Sequence, residues 1–287
     1  MVRVACSPSA WRDALFERVL DDAADTGYAG VELHDAAIQA FARQPARLRA
    51  LLEERTLAAA GAPFAGIYFE REERKDELER LRRLADVLAE VASEGVVAFR
   101  TVPHPARRDM VAGEAPLLPL TRDRLDRLAD ALNQYGDVCR DGGLKAALQN
   151  GVGSYVETPD EYEAVLDRTE PDLVWLAPDL GHWAYAGGDP ATLIRTYAGR
   201  LAEVRLKDFD ARVFEHVRAE RLGFRAFLQL GGFKEPGEGS LPLEPALAPL
   251  ARAGFGGWVC VDLEHTARPP KESAAVSRQY LRDRLRW

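Results

Sequence analysis

The stretch LVWLAPDLGHWAYAGGDPATLIRTYAGRLAEVRLKD, residues 173–208, reads as one strand–helix–strand unit. LVWLAP at 173–178 is apolar at successive positions rather than alternate ones, as a strand buried on both faces requires. Asp189-Pro190 supplies a capping carboxylate and a first-turn proline for a helix. LAEVRLKD at 201–208 is a second strand of the same kind.

The same alternation extends to both ends of the chain. VRVA (2–5), GVEL (30–33), the segment 63–69, GVVAFR (95–100), LKAALQ (144–149) and GWVCVDLE (257–264) read as the other strands. Helical periodicity fills the intervals: 12–26 up to Gly27, 45–57, the charged REERKDELERLRRLADVLAEVASEG at 71–95, 121–140, a helix opened by Thr158-Pro159, and 271–284. Eight strands in strict alternation with helices, in 287 residues, predict a closed (β/α)8 TIM barrel formed by a single domain over 1–287. The rival is an open doubly wound sheet, whose dinucleotide-binding form needs a glycine-rich first turn. Here the first strand leads into CSPSAW (6–11), which has no glycine.

Composition narrows the class. Hydrophobic residues make up 47% of the chain, enough for a sizeable core, and the formal net charge is -8. A disordered chain and a disulfide-stapled mini-protein are excluded. The acidic balance argues against nucleic acid as a partner, which a basic face would have to bind. Cys6, Cys139 and Cys260 are far apart and read as buried free thiols, which fits a reducing compartment. No signal-peptide pattern opens the chain, and no window approaches eighteen consecutive apolar residues. The expectation is a cytoplasmic protein with no membrane partner.

A barrel builds its active site at the C-terminal ends of its strands. The polar residues placed there by topology are Glu32 and His34, His104, Gln149 and Asn150, Asp179 and His182, Arg205, Lys207 and Asp208, and Asp262, Glu264 and His265. Strand alternation puts 205 with 207 on one face and 262 with 264 on another, with His265 turned away from the latter pair. Two mechanisms follow. A divalent ion held by carboxylates can polarise a carbonyl, with a carboxylate or imidazole moving the proton. Alternatively, Arg205 and Lys207 supply the positive charge directly. Trp183, Tyr185, Phe209, Phe214, Phe224, Phe227 and Phe233 either line an apolar pocket or pack the long connection after strand seven against the barrel.

The segments GYAGVELH (27–34), GVGSYVETPDE (151–161), PDLGHWAYAGGDP (178–190), RLAEVRLKD (200–208) and GEGSLPLEPALAPLARAGFGGWVCVDLE (237–264) resemble the xylose-isomerase-like barrel superfamily of sugar isomerases and epimerases, most closely its inosose dehydratase branch. The resemblance implies one divalent metal (manganese, cobalt, magnesium or zinc) at the mouth, with Asp179, Asp262, Gln149 and Glu264 as the ligand positions. The strand-seven motif of the family, H-x-H-x-K-D, reads Glu203-Val204-Arg205-Leu206-Lys207-Asp208 here. Arginine offers no lone pair to a metal and carries a repelling charge. A metal-free site is therefore expected in preference to a metal-loaded one. Asp179, His182, Lys207, Glu32 and Arg205 are the expected catalytic residues, and His34, His104, Trp183, Asp208 and His265 the expected substrate contacts. The expected activity is isomerisation or epimerisation of a polyhydroxylated keto sugar or keto cyclitol, by proton abstraction next to a carbonyl. The alternatives are loss of water from the same enediolate-like intermediate, and binding of a sugar-like ligand without turnover. A homodimer is the expected assembly.

Overall fold

The computed structural model describes residues 2–12, 14–107, 110–114 and 120–287. Eight parallel strands form one sheet: β1 Arg3–Cys6, β2 Gly30–Glu32, β3 Ala58–Gly66, β4 Val96–Thr101, β5 Lys145–Leu148, β6 Val174–Leu176, β7 Glu203–Leu206 and β8 Trp258–Val261. Their order around the sheet is β6-β5-β4-β3-β2-β1-β8-β7, with β1 paired to β8 from Arg3↔Trp258 to Cys6↔Val261. The expectation of a fully closed barrel is corrected at one place. Between β6 and β7 there is no continuous ladder, only the isolated bridges Leu176↔Leu201 and Asp179↔Arg205. Two backbone bonds cross this seam: Ala202 N–H donates to Leu176 O, and Arg205 N–H to Pro178 O, each 2.9 Å. The physical reason lies in β6, which is three residues long and runs into Pro178, a residue with no N–H to donate.

Both faces of the sheet are buried, by different residues. Val4, Val97, Phe99, Leu148, Val174, Leu176, Val204, Leu206, Val259 and Val261 join the main core beneath the surrounding helices. The alternate positions Ala5, Ala98, Ala147, Ala177, Trp258 and Cys260 fill the barrel interior. The interior thus narrows to alanine at mid-height, and the next residue inward along each strand is polar: Arg100, Gln149, Asp179 and Asp262. The strand β3 starts at Ala58, five residues before the expected start at Pro63. Its Ala-Ala-Ala-Gly opening lacks the branched and aromatic residues that mark strands.

The helices agree closely with the periodicity. Phe16–Thr26, Pro45–Glu54, Arg74–Val91, Arg122–Asp141 and Pro270–Tyr280 each occupy an expected interval. Asp13, inside the first of these intervals, lies outside the described residues. Thr158 caps Pro159–Leu166 in a reciprocal box with Glu161, and Asp189 caps Pro190–Tyr197. The connection after β7 folds into helices Ala211–Ala219 and Phe224–Gln229, framed by an antiparallel pair, Asp208–Phe209 with Phe233–Lys234. Tyr185, Phe209, Phe227 and Phe233 are buried together there, with Phe214 and Phe224 packed on them. These aromatic rings pack the connection against the barrel. In the loop 102–119, positions 108–109 and 115–119 lie outside the described residues. No described helix is long and apolar enough to cross a membrane.

Candidate active site

A cavity of about 240 Å³ opens at the C-terminal ends of the strands, lined by Ser7, Pro8, Ser9, Arg12, Glu32, His34, Pro63, Arg100, Gln149, Arg205, Asp262 and Glu264. Its floor is a buried charge cluster centred on Arg205. That guanidinium donates to Glu32 in a bidentate fashion, through Nη1 to Oε1 and Nη2 to Oε2. Nη1 also reaches Glu203 Oε1 at 3.0 Å, and Nε and Nη2 reach Asp262 Oδ2 at 3.3 and 2.8 Å. Each nitrogen is therefore committed to a carboxylate, and the three acids come from β2, β7 and the end of β8. Burial opposes the charge on Arg205, but Glu32 and then Asp262 outweigh it and hold the group protonated.

Lys207 forms the second centre. Its Nζ is fully buried, 3.0 Å from Asp179 Oδ2, 3.7 Å from Glu264 Oε1 and 3.8 Å from Asp262 Oδ2. The ring of Phe233 covers it at 4.9 Å. Gly181 makes this approach fit, because a Cβ there would lie 2.4 Å from Lys207 Cγ. Burial would favour a neutral amine, yet Asp179, Glu264 and Asp262 raise the Lys207 pKa above its ordinary value. Reciprocally, against the burial that would raise them, Lys207 followed by Arg205 lowers Asp262, and Lys207 followed by His182 lowers Glu264. Glu203 goes the other way: burial, only partly offset by Arg205, pushes it up to about 7.

Local structure fixes each of these groups. Asp179 caps the short helix Leu180–Tyr185 by accepting from His182 N–H at 3.1 Å, which turns its second oxygen toward Lys207. Asn150 clamps the Asp179 peptide, its Oδ1 accepting from Asp179 N–H at 2.8 Å. His182 Nδ1 accepts from Val152 N–H at 3.0 Å, so the ring proton sits on Nε2, 3.7 Å from Glu264 Oε1. Ser9 donates to Asp262 Oδ1 at 2.7 Å. Glu264 is the carboxylate with access to the cavity: its side chain is 25% exposed, and Arg100 Nη1 stands 3.6 Å away.

The structure brings Glu32, Gln149, Asp179, His182, Arg205, Lys207, Asp262 and Glu264 together. His34 forms part of the cavity wall, its ring against Phe16 at 5.2 Å, and burial lowers its pKa. The remaining residues are elsewhere. His104 packs on Tyr155 and accepts from Ala106 N–H. Trp183 is buried against Tyr162. Asp208 accepts from the backbone N–H groups of Phe209, Gly237, Gly239 and Leu241, and so pins the turn that follows the connection. His265 sits at the rim, bonded to Arg12. Sequence reasoning missed Ser9, Arg12 and Arg100 as lining residues, and Glu203 and Cys260 as part of the cluster. Period-two alternation gives the signal for three of these: 96, 98 and 100; 203, 205 and 207; 258, 260 and 262.

Among the described residues, one set has the ligand atoms for a divalent ion. Glu32, Glu203 and Cys260 each place one such atom within 4.8 Å of the others. Both of these carboxylates already accept from Arg205 Nη1. Burial also raises the Cys260 thiol well above its ordinary pKa, which opposes the thiolate a metal needs. The positions implied by the family resemblance fare no better, since Asp179, Asp262 and Glu264 already face the Lys207 ammonium. The cluster as it stands holds cations in the places a metal would take, and does not fit one.

A family model described as xylose isomerase-like TIM barrel matches residues 20–284. The inosose dehydratase of Geobacillus kaustophilus (strain HTA426) is 30% identical over 275 residues, covering 94% of this chain and 87% of the relative. Among solved structures, the probable 3-DHS dehydratase AsbF of Bacillus anthracis superposes with a TM-score of 0.75 at 13% identity, covering 99% of this chain and 100% of that one. The IOLI protein, solved with a binding zinc atom, gives 0.76 at 14% identity, covering 98% and 97%.

Proposed function

The chain belongs to the xylose isomerase-like TIM barrel family, and from that premise we propose that it is a dehydratase acting on a polyhydroxylated keto cyclitol or keto sugar. Inosose dehydratases of Geobacillus kaustophilus, Clostridium tetani and Clostridium beijerinckii match it over 94%, 99% and 96% of its length, which favours loss of water over the isomerisation expected from the breadth of the superfamily. The observation that carries the reading is Glu264. It is a carboxylate at the cavity wall, held ionised against its burial by Lys207, His182 and Arg100.

Glu264 takes the proton from the carbon next to the substrate carbonyl, and the C–H electron pair becomes the enolate. Those electrons then form the carbon–carbon double bond and expel the β-hydroxyl. The proton on Glu264 passes to that oxygen, which leaves as water, so that one carboxylate serves as base and then as acid. Arg100 and Arg12 line the same cavity and offer N–H groups to the carbonyl and hydroxyl oxygens. Arg205, Asp179 and Lys207 position the carboxylates. His182 presents its Nε2–H toward Glu264 from 3.7 Å, close enough to favour the ionised carboxylate but too far for a hydrogen bond.

Incubation with an inosose and with keto sugars tests this. The expected product is 18 Da lighter than its substrate and absorbs as a conjugated enone. Glu264→Gln, which keeps size and removes the base, should lower kcat by about two to four orders of magnitude with an unchanged circular dichroism spectrum. A product of unchanged mass would establish isomerisation instead.

A further inference from the structure

We infer that Arg205 and Lys207 take the place of a divalent ion at the mouth of this barrel, so that the protein does its chemistry without one. The inference deepens the proposed function and rests on it only for the reaction.

Four observations carry it. The Arg205 guanidinium joins Glu32, Glu203 and Asp262, acids from three separate strands, and its Nε, Nη1 and Nη2 are all bonded to them. The Lys207 ammonium lies among Asp179, Asp262 and Glu264, fully buried, with Phe233 over it. Five carboxylates that share one small volume are thereby knitted together by two fixed cations, which is the structural task a metal performs in such a cluster. Neither cation has a lone pair to donate, so neither can become a ligand to an incoming ion.

The third observation concerns competition. Glu32 and Glu203, which with Cys260 could close on an ion, both already accept from Arg205 Nη1, so an ion there competes with the guanidinium for these two carboxylates. The bidentate Glu32 pair is the strongest arrangement a guanidinium makes with a carboxylate. The fourth is charge. If the ion entered and both cations stayed, it would face the Arg205 guanidinium at Glu32 and Glu203, or the Lys207 ammonium at Asp179, Asp262 and Glu264, in a medium of low dielectric. Displacing Arg205 would instead leave a guanidinium in a region that is almost fully buried, with nowhere to be solvated.

Elemental mass spectrometry on protein purified without chelator reads this directly. Manganese, cobalt, zinc and magnesium are expected far below one equivalent per chain. Treatment with EDTA should leave Tm unchanged, and excess MnCl2 or ZnCl2 should not raise it. A stoichiometric ion whose removal lowers Tm would overturn the inference, and loss of that ion in Cys260→Ala would locate it. Arg205→His is the reversal. It removes the blocking charge and adds a lone pair, and a metal-dependent Tm rise of roughly 5 °C or more is expected once the ion exceeds its Kd a hundredfold. A folded Arg205→His protein that binds no ion would remove Arg205 from the argument. If that variant does not fold, the metal content and chelator response of the unaltered chain still decide. Turnover is a separate readout: a metal-free protein that fails to dehydrate keto sugars or inososes counts against the proposed reaction alone, and a metal-loaded one that dehydrates them counts against this inference alone.

Discussion

Glu203 is buried two residues before Arg205 on the same face of β7, and burial pushes its carboxyl from 4.5 up to about 7. The folded chain therefore holds this proton more tightly than the unfolded chain does. The stability it confers is complete below about pH 4.5 and is lost as the pH rises through about 7. Glu203→Gln keeps an acceptor for Arg205 and abolishes the titration, so its Tm should fall less than that of the unaltered protein between about pH 5 and pH 8. Glu157, raised to about 7 by its own burial, contributes a similar slope to both proteins, so the difference reports Glu203. Equal slopes would mean that Glu203 does not titrate there. Arg100 gives a second prediction at this scale. Arg100→Ala should raise KM by about ten- to a hundredfold, the worth of a hydrogen bond to a charged donor, and affect kcat less, because its role is to hold substrate oxygens. Both residues show what the sequence conceals. Strand ends drew attention to Glu32, Asp179, Lys207 and Asp262 without help from structure. Arg100 and Glu203 reach the site through the inward alternation of their strands, which can be counted from a known inward residue such as Arg205 but is not marked by hydrophobicity in a strand buried on both faces.

Elements differ in how openly they are written. The start of the helix at Pro159 is legible to the residue, because Thr158 and Pro159 are chemically committed to a helix start. In the structure Thr158 Oγ1 accepts from Glu161 N–H, and Glu161 Oε2 accepts from Thr158 N–H. Thr158→Ala should cost about 1 kcal/mol in chemical denaturation. The strand β3 is the opposite case, since Ala58-Ala-Ala-Gly-Ala has nothing that favours a strand over a helix. Packing decides it. At Gly61, paired with Val96 on β4, a Cβ would stand 2.1 Å from the Val96 carbonyl oxygen. The strands approach too closely there for any side chain, and that is a property of the neighbouring strand. Gly61→Ala should destabilise the chain by about 1–3 kcal/mol, in the range of overpacked cores. A cost near zero would mean that the β3–β4 ladder can shift to admit the methyl group. The long connection after β7 was hidden for a further reason: its two short helices are held by the Phe209, Phe227 and Phe233 cluster, which forms only when distant segments meet.

At the scale of the molecule, the charge cluster and the open seam coincide. The β6–β7 junction has two backbone bonds where the other junctions of the sheet have ladders. Asp179 follows β6 and Lys207 follows β7, so their 3.0 Å ion pair spans the same gap at its mouth end. Both side chains are fully buried, so the pair is not screened by water. Removing one charge should therefore be costly. Asp179→Asn leaves Lys207 with Glu264 and Asp262 at longer range, and a loss on the order of 3 kcal/mol is expected for a broken buried pair. The backbone amides of Ala202 and Arg205, which carry the cross-seam bonds, should at the same time exchange with deuterium faster than those of β4, whose neighbours on both sides are fully laddered. The double variant Asp179→Asn, Lys207→Met separates charge from packing. If the pair holds the seam by neutralising itself, the apolar methionine stem restores most of the lost stability and the slow exchange, because no buried charge is left without a partner. If stability stays low in the double variant while the single Lys207→Met variant is unaffected, the seam depends on the negative charge that Asp179 places at the start of the helix Leu180–Tyr185, since Asn keeps the capping oxygen, and the ion pair contributes only to the site.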